Sequence, residues 1–126
     1  MTEHKLAPFT AAIIGGGPAG LMAAEMLSQE GVHVDLYDAM PSVGRKFLLA
    51  GKGGLNITHA EPFDDFVTRY GASQANIEPL LNDFSPQMLR AWVSELGITT
   101  FVGSSQRVFP LEMKAAPLLR AWLHRL

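Results

Sequence analysis

The stretch AAIIGGGPAGLMAA, residues 11–24, decides the fold, because a short apolar run leads through a glycine-rich turn into a helical pattern. Gly15, Gly17 and Gly20 form the spacing G-x-G-x-x-G between a predicted strand and a predicted helix. In that context the spacing indicates a dinucleotide-binding turn. Gly15 permits the turn, Gly17 lets the backbone approach a pyrophosphate, and Gly20 lets the helix pack closely on its strand. The free N–H groups of the first helical turn would face the phosphates.

A second strand follows the helix and ends at an acid. Gly31 closes the predicted helix Pro18–Glu30, and Val32–Tyr37 alternates as a strand. Asp38 comes next, close to the roughly 20-residue offset at which an acid binds a ribose hydroxyl. Phe9–Ile14 is apolar, as a strand buried between two layers should be. The pattern therefore predicts an α/β fold, with a Rossmann-like βαβ unit that opens a doubly wound sheet. The alternative is a glycine-rich turn of another α/β protein, with the acid merely solvated.

The composition indicates one ordered globular domain and excludes several kinds of site. Of the 126 residues, 48% are hydrophobic and 17% are charged, which is typical of a folded protein. The net charge of −2 gives no electrostatic footprint for nucleic acid or for an anionic membrane. There is no cysteine, and the histidines lack metal-ligand spacing, so we expect no metal site. Without a spanning apolar run or a signal peptide, we expect a cytoplasmic protein with no membrane partner.

The segment from Ala39 to His59 is predicted to be a long functional loop. It contains four glycines and three basic residues, which are Gly44, Gly51, Gly53 and Gly54 with Arg45, Lys46 and Lys52. Glycines let the backbone approach a ligand closely, and the cations can neutralise a pyrophosphate. The alternative is a solvated flexible loop whose cations face water.

The rest of the chain is predicted to be helical with one hairpin. Helices are expected over 62–70, over 77–84, from Ser85-Pro86 to Gly97, and over Lys114–Leu126, with a hairpin of Thr99–Val102 and Arg107–Phe109. Residues 1–8 are expected to be a polar lead-in. Because two parallel strands cannot complete a doubly wound sheet, we expect residues 1–126 to be the truncated N-terminal part of an FAD/NAD(P)-binding domain.

Two of these predicted helices carry apolar stripes. Leu89, Trp92, Val93 and Leu96 share one helical face, and Leu119, Trp122, Leu123 and Leu126 share another. We therefore expect Trp92 to be a packing residue rather than a flavin-stacking group.

Three segments resemble known flavoproteins. Thr10 to Asp38 resembles the FAD-binding front of flavoproteins related to glutathione reductase. GRKFLLAGKGGLNIT, residues 44–58, is similar to the segment G-[RK]-K-x-L-x-[SA]-G-x-G-x-x-N-x-T of BaiN-like flavoproteins, some of which are called the aminoacetone oxidase family. RVFP at 107–110, followed by Lys114-Ala115, resembles their R-x-F-P…K-A segment. Where many members read G-R-C-N, this chain reads GGLN at 53–56.

The resemblance implies the N-terminal part of an FAD-dependent oxidoreductase, in which the flavin carries most of the chemistry. By this likeness the FAD pyrophosphate would be held by Gly15, Gly17, Pro18, Ala19 and Gly20, the ribose by Asp38, and the phosphates or ribitol by Arg45 and Lys46. Gly51, Gly53, Gly54 and Asn56 would run along the flavin. A small-molecule substrate, and NAD(P) as a second substrate, would belong to the full-length protein, and we expect the fragment alone to be inactive.

Two other functions stay open at this point. One is the NAD(P)-binding domain of a dehydrogenase, and the other is a non-catalytic nucleotide-binding or interaction module. The sequence names no catalytic residue for any of them.

Overall fold

The chain divides into two units in the computed structural model, which describes residues 9–126. The described part of the first unit is 9–49, and the second runs from Ala50 to Arg125. The polar lead-in predicted for residues 1–8 lies outside the described residues.

The first unit is built on β1 (Thr10–Ile14), α1 (Pro18–Gln29) and β2 (His33–Tyr37). The two strands pair in parallel along their whole length, with α1 as the connection. Gly31 ends α1 in the left-handed region at φ +82°, and its N–H donates to Ser28 O at 3.0 Å. The predicted parallel βαβ unit is therefore confirmed, with each element boundary within one residue of the prediction.

Within the described part of the first unit, α1 covers one face of this two-stranded sheet. Ile13 lies on the face toward α1, where Leu21 and Ala24 are buried. Ile14, on the opposite face, is 83% exposed. The prediction that β1 is buried between two layers is wrong for the first unit, because α1 packs on the Ile13 side of the sheet and Ile14 is exposed on the other side.

The segment predicted as a long loop contains regular structure. A helix, α2 (Arg45–Ala50), begins just after Gly44, and a short strand, β3 (Thr58–His59), follows it. Leu48 N–H donates to Gly44 O at 3.0 Å, at the helical spacing of four residues. The loop prediction was wrong here because six residues are too few to show an apolar helical period.

The sheet of the second unit has three antiparallel strands, in which β5 (Arg107–Pro110) lies between β3 and β4 (Thr100–Val102). The predicted hairpin is confirmed as β4 (Thr100–Val102) and β5 (Arg107–Pro110). Its loop is closed by the Gly103 N–H, which donates to Arg107 O at 2.8 Å. The third strand, β3, was not predicted, and it pairs with β5 through only two residues.

The helices of the second unit are confirmed with shifted bounds. They are α3 (Phe63–Thr68), α4 (Gln74–Asp83), α5 (Pro86–Glu95) and α6 (Ala116–Arg125), with a 3₁₀ turn at Gly71–Ser73. The start of α5 is set by Ser85, whose Oγ accepts the Met88 N–H at 3.2 Å, as an N-cap does. Its end is set by Gly97, at φ +85°.

The core of the second unit is centred on two valines and two tryptophans. Val93 of α5 and Val108 of β5 are fully buried. Trp92 and Trp122 meet edge to face, with ring centroids 4.8 Å apart at 82°. This contact joins α5 to α6 and confirms the packing role predicted for Trp92.

The apolar stripe of α6 is buried over part of its length. Leu118, Leu119 and Trp122 are buried, whereas Leu123 and Leu126 are exposed. The contact between Trp92 and Trp122 turns the face of Leu118 and Trp122 toward the core.

Replacement of Ser85 by alanine should destabilise the second unit. The change removes the acceptor of the Met88 N–H, and losing an N-cap costs about 1 kcal/mol. Urea unfolding of Ser85→Ala should show this decrease, while Ser94→Ala, an exposed position on the same helix, should leave the free energy of unfolding equal or slightly higher. Equal stability of the two variants would mean that the Ser85 cap does not stabilise α5.

Candidate dinucleotide-binding site

The turn between β1 and α1 depends on two glycines that cannot carry a side chain. Gly15 has φ +108°, a conformation that suits glycine, and its N–H donates to Tyr37 O at 2.7 Å. A Cβ on Gly20 would lie 1.9 Å from Gly15 O, far inside any allowed contact. These two positions let α1 begin directly against the end of β1.

Gly17 differs from its neighbours because open space lies beside it. A Cβ there would meet no described atom within 4 Å, and its φ of −83° is one that any residue adopts. Gly17 is the N-cap of α1 but has no side chain to cap with, and Pro18 follows as the first helical residue. The first intrahelical bond runs from Leu21 N–H to Gly17 O at 2.9 Å.

This helix start leaves backbone donors for a ligand. The N–H groups of Ala19 and Gly20 precede the first intrahelical bond, so the helix itself provides no acceptor for them. Together with the positive end of the helix dipole, they form an arrangement suited to an anion such as pyrophosphate. The absence of a Cβ at Gly17 lets an anion approach them.

The Asp38 carboxylate is tied to the glycine turn. Its Oδ2 accepts the Gly16 N–H at 2.7 Å, and its Oδ1 accepts the Met40 N–H at 2.8 Å. These two hydrogen bonds, with a smaller contribution from the charge of Arg45, hold the pKa of the Asp38 carboxyl below its usual value of 3.8. Asp38 is therefore ionised at neutral pH, and because it is exposed, its remaining lone pairs are accessible to a hydroxyl donor.

Gly16 is a site residue that the sequence analysis did not identify. A Cβ there would lie 2.5 Å from Val43 Cγ1 and 3.0 Å from Asp38 Oδ2. Its carbonyl accepts the Gly44 N–H at 2.8 Å, so the segment before α2 packs directly on the turn. Gly16 is the middle residue of the GGG run at 15–17, and the G-x-G-x-x-G spacing allows any residue at that position.

The two basic residues predicted to face the phosphates stand at the start of α2. Arg45 and Lys46 are both exposed. Arg45 Nε donates to Ser42 Oγ at 3.0 Å, which orients its guanidinium within the first unit. This first unit thus brings together the glycine turn, the acid and the two cations.

The four remaining predicted contacts lie in the second unit. Gly51 is needed there for packing, because a Cβ would lie 2.6 Å from Ala115 Cβ, whereas Gly54 has φ +113°, a conformation that favours glycine. Gly53 has no described atom within 4 Å of a Cβ, and Asn56 is exposed. Packing therefore accounts for Gly51 and backbone conformation for Gly54, while Gly53 and Asn56 are the positions left accessible.

Residues 9–126 contain neither a candidate metal cluster nor a candidate membrane span. No group of three or more histidine, aspartate or glutamate side chains there is placed to hold a metal ion. Across the same residues, no helix is both long and apolar enough to cross a membrane.

Comparison with known families identifies the family to which this chain belongs. The family described as HI0933-like protein Rossmann domain matches residues 9–126, and the chain therefore belongs to it. This membership agrees with the parallel βαβ unit and makes the first unit part of a nucleotide-binding domain of the oxidoreductase type.

Several characterised or named proteins are similar over parts of the chain. The ribosomal RNA dihydrouridine synthase of Haemophilus influenzae is 43% identical over 49 residues, 39% of this chain and 12% of that protein. The carotenoid phi-ring synthase of Streptomyces griseus is 33% identical over 82 residues, 61% of this chain and 15% of that protein. The putative oxidoreductase UacF of Escherichia coli is 52% identical over 33 residues, 26% of this chain and 5% of that protein.

The chain thus spans a small fraction of the length of these relatives. The matched stretches are 12%, 15% and 5% of the three proteins.

A methyl group should be tolerated at Gly17 and not at Gly20. Gly20→Ala places Cβ against Gly15 O, so we expect a loss of about 3 kcal/mol in the free energy of unfolding. Gly17→Ala points into open space and serves as the matched control, with a loss of less than about 1 kcal/mol expected because alanine is a poorer N-cap than glycine. Chemical denaturation of both variants checks this, and equal stabilities would contradict the close approach of α1 to the turn.

The pH dependence of stability should report on Asp38. Because its pKa is lowered by folding, its contribution is fully present above the unfolded value of 3.8 and is lost as pH falls through the lower folded pKa. Asp38→Asn should remove the part of the acid sensitivity that comes from this carboxyl. It should also lower the free energy of unfolding at neutral pH, because the asparagine N–H₂ cannot accept a hydrogen bond from the Gly16 or Met40 N–H.

The control for this variant is Glu30→Gln, which removes one negative charge from an exposed side chain in the same unit. It should leave stability at neutral pH unchanged. Urea unfolding measured from pH 7 to pH 3 gives both results. If Asp38→Asn kept the full acid sensitivity of the parent chain, the carboxylate would not be bonded as described.

Proposed function

We propose that this member of the HI0933-like family is the FAD-binding N-terminal segment of a flavoprotein oxidoreductase. The observation that carries the proposal is the helix start of α1. There, two backbone N–H groups without intrahelical acceptors lie beside the open space at Gly17, and the ionised Asp38 is bonded to the same turn. A pyrophosphate and a ribose are the parts of a dinucleotide that these groups would bind.

Each residue of the glycine turn, together with Asp38, would have its own role in holding the pyrophosphate or the ribose of FAD. Ala19 and Gly20 would donate their N–H groups to the pyrophosphate, and the missing Cβ of Gly17 would let it approach. Asp38 would accept a ribose hydroxyl on a lone pair that Gly16 and Met40 leave available. Gly15 contributes through its φ of +108°, and Pro18 through a first helical position that needs no N–H.

Positive charge beside the turn supports an anionic ligand. Arg45 is held by Ser42 within the same unit, and Lys46 is exposed next to it. An arginine can contact a phosphate by two parallel hydrogen bonds, and a lysine acts as a point charge. We assign these residues to the phosphates or the ribitol chain.

The choice of FAD over NAD(P) rests on the likeness to BaiN-like flavoproteins. That likeness extends through residues 44–58, beyond the glycine turn that FAD-binding and NAD-binding domains share. Within it, Gly53 and Asn56 are the accessible positions that we assign to the flavin side, with Gly51 and Gly54 shaping the backbone next to them.

In the full-length protein, bound FAD would supply the hydride or electron transfer, and this chain would hold and orient it. We further propose that the full-length protein acts on a small-molecule substrate, uses NAD(P) as a second substrate and is located in the cytoplasm. We expect the segment alone to be inactive, because the chain covers a small part of its relatives.

Titration with FAD, followed by visible absorption, tests the proposal. We expect bands of a protein-bound flavin that weaken strongly in Gly17→Val, since its side chain fills the approach to the N–H groups, and in Asp38→Ala. Ala23→Val on the exposed face of α1 and Asp35→Ala on β2 are the matched controls and should bind as the parent chain does.

Three outcomes would count against the proposal. Binding of NAD in place of FAD would favour the dehydrogenase alternative. Equal FAD binding by Gly17→Val would remove the glycine turn from the site. No binding by a folded chain would show that these residues do not form a usable FAD site by themselves.

A further inference from the structure

The second unit contains a cleft of about 340 Å³ between the end of β3 and the helices α4 and α5. Its polar wall is formed by His59, Glu61, Asn82, Ser85, Gln87 and Arg90. Phe63, Leu81 and Pro86 give it an apolar wall. A concave site of a few hundred Å³ with an apolar lining and a few convergent polar groups is typical of small-molecule binding.

Arg90 is the cation of this cleft, and its guanidinium is held in place. Its Nε donates to Thr100 Oγ1 at 3.1 Å, which ties α5 to β4. That bond uses one edge of the guanidinium and leaves the terminal amino groups to meet a ligand. A fixed, planar guanidinium is the side-chain group best suited to a carboxylate, because it can donate two parallel hydrogen bonds.

The acid in the cleft does not cancel this charge. Glu61 accepts two hydrogen bonds from Arg69, from Nε at 3.0 Å and from Nη2 at 2.8 Å. The Glu61 side chain is 8% exposed, and the bonds from Arg69 are the main reason that its pKa lies below the usual value. Because the charge of Glu61 is matched by Arg69, Arg90 leaves the cleft with an excess positive charge.

Two further groups are arranged as donors. His59 Nδ1 accepts the Glu61 N–H at 3.2 Å, so a neutral His59 ring carries its proton on Nε2. Ser85 Oγ already accepts the Met88 N–H, so its own O–H is available to donate. The Ser85 O–H and the His59 Nε2–H are thus two donors of the cleft besides Arg90.

We propose that this cleft binds a small organic carboxylate. The carboxylate would lie on the Arg90 guanidinium, with Ser85 and His59 as further donors, and the apolar body of the ligand would contact Phe63, Leu81 and Pro86. The site is separate in composition from the proposed FAD contacts, since none of its residues is among them. It therefore goes beyond the proposed function and does not depend on it.

Benzoate is the probe for this site, because it combines a carboxylate with a compact apolar ring. Titration of the 126-residue chain without FAD, followed by ¹H–¹⁵N NMR, should give saturable shifts of the Arg90 Nε–H signal and of the amides of Ser85 and Gln87. Benzamide, its neutral counterpart, should bind about tenfold more weakly, because it cannot form the charged bidentate pair.

Variants separate the Arg90 contact from general charge attraction. Arg90→Gln should weaken benzoate binding about tenfold, whereas Arg120→Gln, an exposed arginine on α6, should not change it. Gly17→Val should also bind benzoate as the parent chain does, which distinguishes this site from the FAD site. If Arg90→Gln fails to fold, the comparison of benzoate with benzamide on the parent chain decides whether the site prefers a carboxylate.

The proposal is overturned if benzoate gives no saturable shifts around Arg90, or if benzamide binds as tightly as benzoate. It is also overturned if folded Arg90→Gln binds benzoate unchanged.

Discussion

The first unit depends on the close approach of α1 to the carbonyl of Gly15. A Cβ at Gly20 would lie 1.9 Å from that oxygen, so only glycine allows the helix to begin where it does. This approach fixes the direction of α1 and places its first N–H groups at the carboxyl end of β1. The steric requirement that shapes the fold thus also creates the candidate anion site.

Asp38 connects the second strand to the same turn. Its carboxylate accepts N–H groups from Gly16 and Met40, so it stabilises the turn in addition to any contact with a ribose. A dinucleotide motif usually assigns this acid to the ligand alone. Here the hydrogen bonds to the backbone hold Asp38 ionised and oriented, so that ligand binding would need little further ordering of this side chain.

The parts of the structure that the sequence predicted are those with strong local signals. The glycine spacing predicted the βαβ unit, and Ser85-Pro86 with Gly97 predicted both ends of α5. Short elements were missed because α2 has six residues and β3 has two, too few for a period to appear. The packing roles of Gly16 and Gly51 depend on partners distant in sequence, which no local pattern encodes.

The most direct test is the shift of individual backbone amides when FAD is added. If the start of α1 binds the pyrophosphate, the ¹⁵N-labelled chain should show its largest amide shifts at Ala19 and Gly20. Asp38 should shift with them because it is bonded to the same turn. Saturable FAD binding that leaves those two amides unshifted, with changes confined to the second unit, would contradict the assignment of the glycine turn to the cofactor.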